Sequence, residues 1–316
     1  MKKILIIKHG ALGDVVLSMY PIFTIWNHFK DYEISILTEE KYTELYKCLP
    51  FIENIVIDNR PKIYHFLNYI RIVWWFKKSN FEWVFDLQTS KRTNLYFFLF
   101  SLFKNFYWSG IAKNCSHPHN SNNRTKLHTI ERQKEQLKYA GINNYFSPKW
   151  NLLINNTNKL KLKKPYAIIV PGGSKHRKNK RWDFKNFLQI IEYLKKHSII
   201  SVLIGGKDEK HIFDNYKSNK FIMNLIGKTS YSDLAYISSG ANLILGNDTG
   251  PMHLLIACSK KETVKIVLFG EGSDPDLCAP RGKKVFIIQE KNINQIIPKR
   301  VIKVINENNY SKLQKF

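Results

Sequence analysis

The chain lacks paired cysteines, a membrane-length apolar run and a dinucleotide fingerprint, and each absence removes a class of function. Its four cysteines, Cys48, Cys115, Cys258 and Cys278, are widely spaced and form no CxxC pair. That excludes a disulfide framework and suggests reduced thiols in a cytoplasmic protein. The most hydrophobic segment, Leu95–Phe103, ends at Lys104-Asn105, well short of the roughly 20 residues that span a bilayer. The first apolar run is interrupted by Lys8 and His9, before it reaches the about 7–15 residues of a signal-peptide core. No GxGxxG is present, which makes a dinucleotide site a weak reading. Zinc-finger spacing and an RNP aromatic motif are also missing, so nucleic acid is not expected as a partner. Cys115, His117, His119 and His128 match no standard zinc pattern, and neither a metal nor another cofactor is expected.

Acidic residues are scarce: 25 Asp and Glu stand against 50 Lys and Arg, a formal net charge of +25. Such an excess attracts polyanions, among them an anionic membrane surface or a phosphorylated substrate. Lysines spread through an Asn- and Ile-rich chain are equally consistent with compositional bias. A length of 316 residues points to two domains of roughly 150 residues each.

Short apolar runs alternate with helical stretches throughout. Lys3–Ile7, residues 33–37, 54–57 and 83–86 read as strands, with helices over 15–29, 40–48, 63–78 and 130–139. Residues 113–126 read as a polar loop and 155–164 as a Lys-rich linker. The pattern then restarts with strands at 166–170, 200–204, 243–245, 265–269 and 284–288 and a helix over 184–196. This alternation predicts an α/β fold with parallel sheets covered on both faces. The expected domains are 1–155 and 165–300, with 301–316 as a C-terminal helix. In such sheets ligands bind beyond the carboxyl ends of the strands.

Two strand ends carry the most information. After Leu243-Ile244-Leu245 the chain breaks into Gly246-Asn247-Asp248-Thr249-Gly250-Pro251-Met252-His253 and resumes as an apolar helix. Asp248 and Thr249 suit an N-cap and Pro251 the first turn. A helix start of this kind accepts a phosphate, although an ordinary βα turn has the same appearance. After Lys3–Ile7 comes Lys8-His9-Gly10-Ala11-Leu12-Gly13-Asp14, whose glycines permit a tight turn and whose Asp14 is either a helix cap or a carboxylate displayed for chemistry.

Taken in order, KILIIKHGALGDVVLSMYPI, PGGS with Lys180-Arg181-Trp182, GGKDE (205–209) and GNDTGPMH resemble glycosyltransferase family 9, the ADP-heptose:lipopolysaccharide heptosyltransferases. Asp86-Leu87-Gln88, His128–Gly141, Asp274-Pro275 and Pro280-Arg281-Gly282 add matches between them, so the likeness covers nearly the whole chain. It implies a GT-B fold: two Rossmann-like domains facing across a cleft, acceptor on the first and donor on the second, with the C-terminal helix crossing back to the first. It also implies inverting transfer of a heptose from ADP-heptose to an anionic lipid-linked saccharide at the cytoplasmic face of the inner membrane.

Inverting transfer needs a base for the acceptor hydroxyl, and the resemblance gives that role to Asp14. Lys180, the backbone around Thr249 and Gly250, and His253 would meet the diphosphate, with Gly173 and Ser174 approaching it. Glu209 would accept from the ribose, and Asp248 would orient the donor sugar or its phosphate surroundings. The chain departs from the family in having Asp183 where proline commonly follows the tryptophan. Its basic run 175–179 also makes Lys175 and Lys178 alternatives to Lys180. The aromatic runs 72–76 and 95–103, flanked by Lys77, Lys78, Lys91, Arg92 and Lys104, read as helices packed on the sheet, with a membrane-docking face as the alternative. A hexose transferase or epimerase on the same fold, and a noncatalytic basic binding protein, are the competing functions.

Overall fold

A computed structural model of the chain describes residues 2–61, 66–154, 160, 162–173, 178–207, 209 and 218–308. It divides into two units, Met1–Lys149 and Trp150–Phe316. The boundary precedes the expected linker because Trp150–Leu153, a short 3₁₀ turn, packs on helices of the second unit.

The first unit runs β1 (Lys2–Ile7), α1 (Leu12–Leu17), α2 (Met19–His28), β2 (Tyr32–Thr38), α3 (Thr43–Lys47), β3 (Ile52–Ile57), α4 (Phe66–Ser79), β4 (Trp83–Asp86), α5 (Lys91–Ser101), β5 (Tyr107–Gly110), β6 (His117–Pro118) and α6 (Thr129–Tyr139). Its strands form one parallel sheet in the order β3-β2-β1-β4-β5-β6. Ile4, Leu5, Ile6 and Ile7 are fully buried, as expected for a central strand covered on both faces.

The second unit repeats the plan with β7 (Tyr166–Val170), α7 (Phe184–Lys196), β8 (Ile200–Leu203), β9 (Ile222–Asn224), α8 (Tyr231–Ser239), β10 (Leu243–Asn247), α9 (Gly250–Cys258), β11 (Val264–Phe269), α10 (Pro275–Cys278), β12 (Val285–Gln289) and α11 (Pro298–Glu307). The order β12-β11-β10-β7-β8-β9 is the same doubly wound arrangement. Each sheet therefore has a switch point where the winding reverses, between β1 and β4 in one unit and between β7 and β10 in the other. Crevices at such points are where doubly wound sheets bind ligands.

Several expectations need correction. The helix expected over 15–29 is two helices meeting at Ser18. Pro21 has no N–H to return to the preceding turn, so the first helix cannot run through it. The polar loop contains β6, paired to β5 through Ser109↔His117 and Gly110↔Pro118. It is pinned by the Trp108 N–H donating to Ser116 Oγ at 2.7 Å and by His119 Nε2 lying 2.7 Å from Glu135 Oε2. The helix expected over 301–316 begins at Pro298, and its Val301 and Ile305 join Phe187, Ile190 and Leu194 in the core of the second unit. Residues 309–316, and the helix expected after Glu209, lie outside the described residues.

Candidate active site

In the first unit, the turn after β1 is tied to the turn after β4. The backbone N–H groups of His9 and Gly10 both donate to Gln88 Oε1, at 3.0 and 3.3 Å. Gly10 is required by space, since a Cβ there would stand 2.6 Å from Tyr42 Cε2. Asp14 is the third residue of α1 and half-buried, and its Oδ2 accepts the Ala11 N–H at 3.2 Å. The carboxylate therefore does cap its helix, using one oxygen to do so.

Charged groups surround this turn. Lys8 is buried at the end of β1 and donates to the Leu87 carbonyl at 3.3 Å. Burial lowers its pKa, against the pull of the Asp14 and Asp86 carboxylates. Asp86 is fully buried, its Oδ1 accepting the N–H groups of Gln88 and Thr89 at 3.1 and 2.9 Å. Burial pushes the carboxyl up to about 6, against the hydrogen bonds it accepts from Thr93, Thr89 and Gln88. Behind the turn His9 Nε2 lies 2.9 Å from Asp58 Oδ2, both side chains sealed from solvent. That oxygen also receives Tyr96 Oη at 2.5 Å and Arg92 Nε at 3.2 Å. Burial alone would raise Asp58, but His9, Tyr96 and Arg92 outweigh it and hold the carboxyl well below the usual range.

In the second unit, Asn247 closes the switch point. Its Nδ2 donates to the carbonyls of Pro171 and Gly172 at 2.8 and 3.1 Å, while its Oδ1 accepts the Trp182 N–H at 3.1 Å. Trp182 is buried against Phe187, and its Nε1 donates to the Ile296 carbonyl at 2.8 Å. The tryptophan thereby anchors Lys180 and Arg181, which directly precede it. Lys180 reaches Asp248, Nζ to Oδ2 at 2.8 Å, with both side chains largely buried. Ser273 Oγ donates to the same oxygen at 2.6 Å, and His253 Nε2 stands 3.7 Å from Oδ1. Burial opposes ionisation of Asp248, but His253, Lys180 and Ser273 together hold its carboxyl well below the usual range.

Thr249, not Asp248, is the N-cap of α9, and Pro251 sits in the first turn. The Thr249 hydroxyl makes no capping bond; it and His253 Nδ1 are buried without a hydrogen-bond partner among the described residues. Buried polar atoms are normally paired, so two orphans beside one helix start call for a polar ligand. Gly173 adjoins them: a Cβ on it would stand 3.7 Å from Thr249 Cγ2. Glu209 is buried and bridges two glycine turns, Oε1 accepting the Gly173 N–H and Oε2 the Gly206 N–H at 2.8 Å. A Cβ on Gly172 would overlap its carboxylate.

Gly173, Lys180, Glu209, Asp248, Thr249, Gly250 and His253 thus gather at one switch point, while Asp14 lies at that of the other unit. Ser174, Lys175 and the side chain of Lys178 lie outside the described residues. Sequence reasoning missed Ser273, and also Arg181, whose Nη2 donates to the Gly173 carbonyl. It missed the polar cluster at Asp58 as well. Asp183 in place of proline is the N-cap of α7, its Oδ1 accepting the Lys185 N–H at 3.0 Å.

The perturbed carboxylates give stability a signed pH dependence. Asp58 and Asp248, depressed in the fold, contribute stability that is present above the unfolded carboxylate pKa of about 4 and lost as pH falls below it. Asp86 acts oppositely: raised to about 6, its contribution is present below about 4 and lost as pH rises through 6, a change of about 3 kcal/mol. Thermal melts should therefore show Tm rising from acid to about pH 4–5 and declining towards pH 7. Asp86→Asn should abolish the decline; an unchanged decline in that variant would contradict the assignment.

Residues 106–308 match the family model of glycosyltransferase family 9 (heptosyltransferase). Lipopolysaccharide heptosyltransferase 1 of Campylobacter coli is 24% identical over 322 residues, covering 93% of this chain and 89% of that protein. Among solved structures, E. coli ADP-heptose lps heptosyltransferase II aligns with a TM-score of 0.76 at 17% identity over 99% of both chains. E. coli heptosyltransferase WaaC with ADP aligns with a TM-score of 0.74 at 19% identity over 97% of this chain and 99% of that one. These likenesses establish the fold as two Rossmann-like units of the GT-B class.

Proposed function

The chain belongs to glycosyltransferase family 9, and from that membership we infer an inverting heptosyltransferase that moves a heptose from ADP-heptose to a lipopolysaccharide-core acceptor. The observation that carries the reading is a pair of buried polar atoms without a hydrogen-bond partner among the described residues, Thr249 Oγ1 and His253 Nδ1, at the start of α9 beside Lys180. A helix N-terminus with a hydroxyl, an imidazole and an ammonium group suits a diphosphate. One matched structure is that of a heptosyltransferase with ADP, which favours adenine as the nucleotide base.

In this reading the second unit binds the donor. As the glycosidic bond to phosphate breaks, negative charge grows on the leaving diphosphate, and Lys180 with the backbone N–H groups of Thr249 and Gly250 stabilises it. Gly173 lets the backbone approach closely, and Ser174 adds a hydroxyl. Glu209, although bonded to two backbone N–H groups, keeps lone pairs for the ribose hydroxyls. Asp248 holds Lys180 in place and orients the donor sugar. On the first unit Asp14 removes the proton from the attacking acceptor hydroxyl, as the anomeric carbon takes on oxocarbenium character. No described helix is long and apolar enough to cross a membrane. The enzyme meets its anionic lipid acceptor peripherally, at the cytoplasmic face of the inner membrane.

The test is ADP release with ADP-heptose and a deep-core lipopolysaccharide acceptor, run beside UDP- and GDP-sugars. Release that needs both ADP-heptose and acceptor is the expected result. Release without acceptor, or none from any donor, would overturn the reading.

A further inference from the structure

Helix α4 is apolar on two opposite sides. Tyr69, Ile72 and Phe76 point into the core, where Phe76 stacks on Phe100 of α5 with ring centroids 3.8 Å apart. On the outer side Phe66, Leu67, Ile70 and Trp74 recur at helical spacing and are exposed, Leu67 to 69% and Trp74 to 57%. A helix hydrophobic all round is normally enclosed, and this one is not. Helix α5 repeats the feature: Tyr96 and Phe100 are buried, while Phe98, and Leu102 and Phe103 just beyond the helix, are exposed. Lys77 joins the two sets, its Nζ lying 5.9 Å from the Trp74 ring centroid and 5.1 Å from that of Phe103. The result is one continuous surface, larger in kind than scattered exposed residues.

Its charge is of one sign. Between Phe66 and Phe81, and again between Leu87 and Tyr107, there is no acidic residue, whereas Arg71, Lys77, Lys78, Lys91 and Lys104 fall in these stretches. Lys78 also lies over Trp74, at 5.2 Å. An interfacial tryptophan beside lysines that carry apolar stems is what a headgroup layer accommodates. The first turn of α4 lies toward the carboxyl ends of the strands, since Arg71 donates to the carbonyl of Ile57, the last residue of β3, at 2.7 Å. The apolar surface therefore begins at the end of the sheet that carries Asp14.

We propose that the outer faces of α4 and α5 form the membrane-docking surface of this protein, with Phe66, Leu67, Ile70 and Trp74 entering the headgroup layer of an anionic bilayer and the lysines binding its phosphates. Charge complementarity selects this occupant: an apolar surface ringed by cations and free of acids on its helices matches anionic lipid. The assignment rests on the lipid-acceptor reading for its purpose, but its test does not involve catalysis.

Full-length protein is sedimented with vesicles of equal parts phosphatidylglycerol and phosphatidylcholine, and with phosphatidylcholine alone. Wild type should bind the anionic vesicles and not the neutral ones. Leu67→Ser with Trp74→Ser should weaken binding by at least about tenfold through lost apolar burial. Lys77→Glu with Lys78→Glu should weaken it by more than about tenfold. Lys195→Glu with Lys196→Glu, the same charge change on exposed residues of the second unit, should bind nearly as wild type. Equal losses in both charge variants would overturn the proposal in favour of diffuse attraction. Absence of vesicle binding, or a dimer that Trp74→Ser dissolves, would overturn it as well, the latter assigning the surface to a second copy. Transfer to a soluble acceptor without acyl chains should be unchanged in the α4 variants. Loss of transfer in wild type under that assay would count against the proposed function and not against the docking surface.

Discussion

Asp14→Asn is expected to lower kcat by about 10²–10⁴-fold, the usual contribution of a positioned general base. The substitution is conservative for structure. Among the described residues the carboxylate accepts the Ala11 N–H through Oδ2, and an asparagine carbonyl can accept it equally, so the cap and the melting temperature should persist. Donor affinity should also persist, because every assigned donor contact lies on the second unit. Turnover within about threefold of wild type would mean that Asp14 is a helix cap and nothing more, since removal of a cap interaction acts on stability and not on the barrier.

Lys180→Met should act on both stability and catalysis. Asp248 would keep Ser273 and His253 but lose the Lys180 ammonium, and breaking a largely buried ion pair by removing one partner costs about 3–5 kcal/mol. The same change removes the point charge assigned to the departing diphosphate, which should reduce kcat/KM by about 10²–10³-fold. The double variant Lys180→Met with Asp248→Asn separates the two effects. Without the carboxylate charge the stability should return to within about 1 kcal/mol of wild type, while activity stays low. Recovery of activity together with stability would reduce Lys180 to a structural partner of Asp248.

The parts of the fold that could be read from the sequence were those whose residues are buried on both faces. β1, β7, β10 and β11 each contain an apolar run, residues 4–7, 166–170, 243–245 and 266–269, because both sides of a central parallel strand meet helices. The edge strands β6 and β9, two and three residues long, have no such signature, and β5 (YWSG) ends in serine and glycine. Strand order was not legible at all. It depends on which runs pair across the sheet, and only pairing reveals that the two glycine turns fall at switch points.

The candidate site divides in the same way. Asp14, Glu209 and the turn 247–253 come within a few residues of the ends of β1, β8 and β10, so the preceding strand gives their positions, whereas Lys180, ten residues past β7, is legible only through its motif. The partners that set their chemistry come from sheet neighbours. Ser273 reaches Asp248 across 25 residues because β11 lies beside β10. Trp182 is legible as part of a motif, but its work as an anchor appears only in its bonds to Asn247 and Ile296. Lys8 interrupts an apolar run in the sequence; in the fold it is a buried cation near Asp14 and Asp86. Of the two N-cap candidates in the sequence, Thr249 takes the position, while Asp248 is engaged by Lys180.

The central claim is transfer of a heptose from ADP-heptose, and mass spectrometry of the acceptor tests it most directly. After incubation with ADP-heptose and a deep-core lipopolysaccharide acceptor, the wild-type enzyme should increase the acceptor mass by one heptose residue, and Asp14→Asn should leave it almost unmodified. An acceptor of unchanged mass in the presence of released ADP, or one that gains a hexose from a UDP- or GDP-sugar instead, would contradict the account.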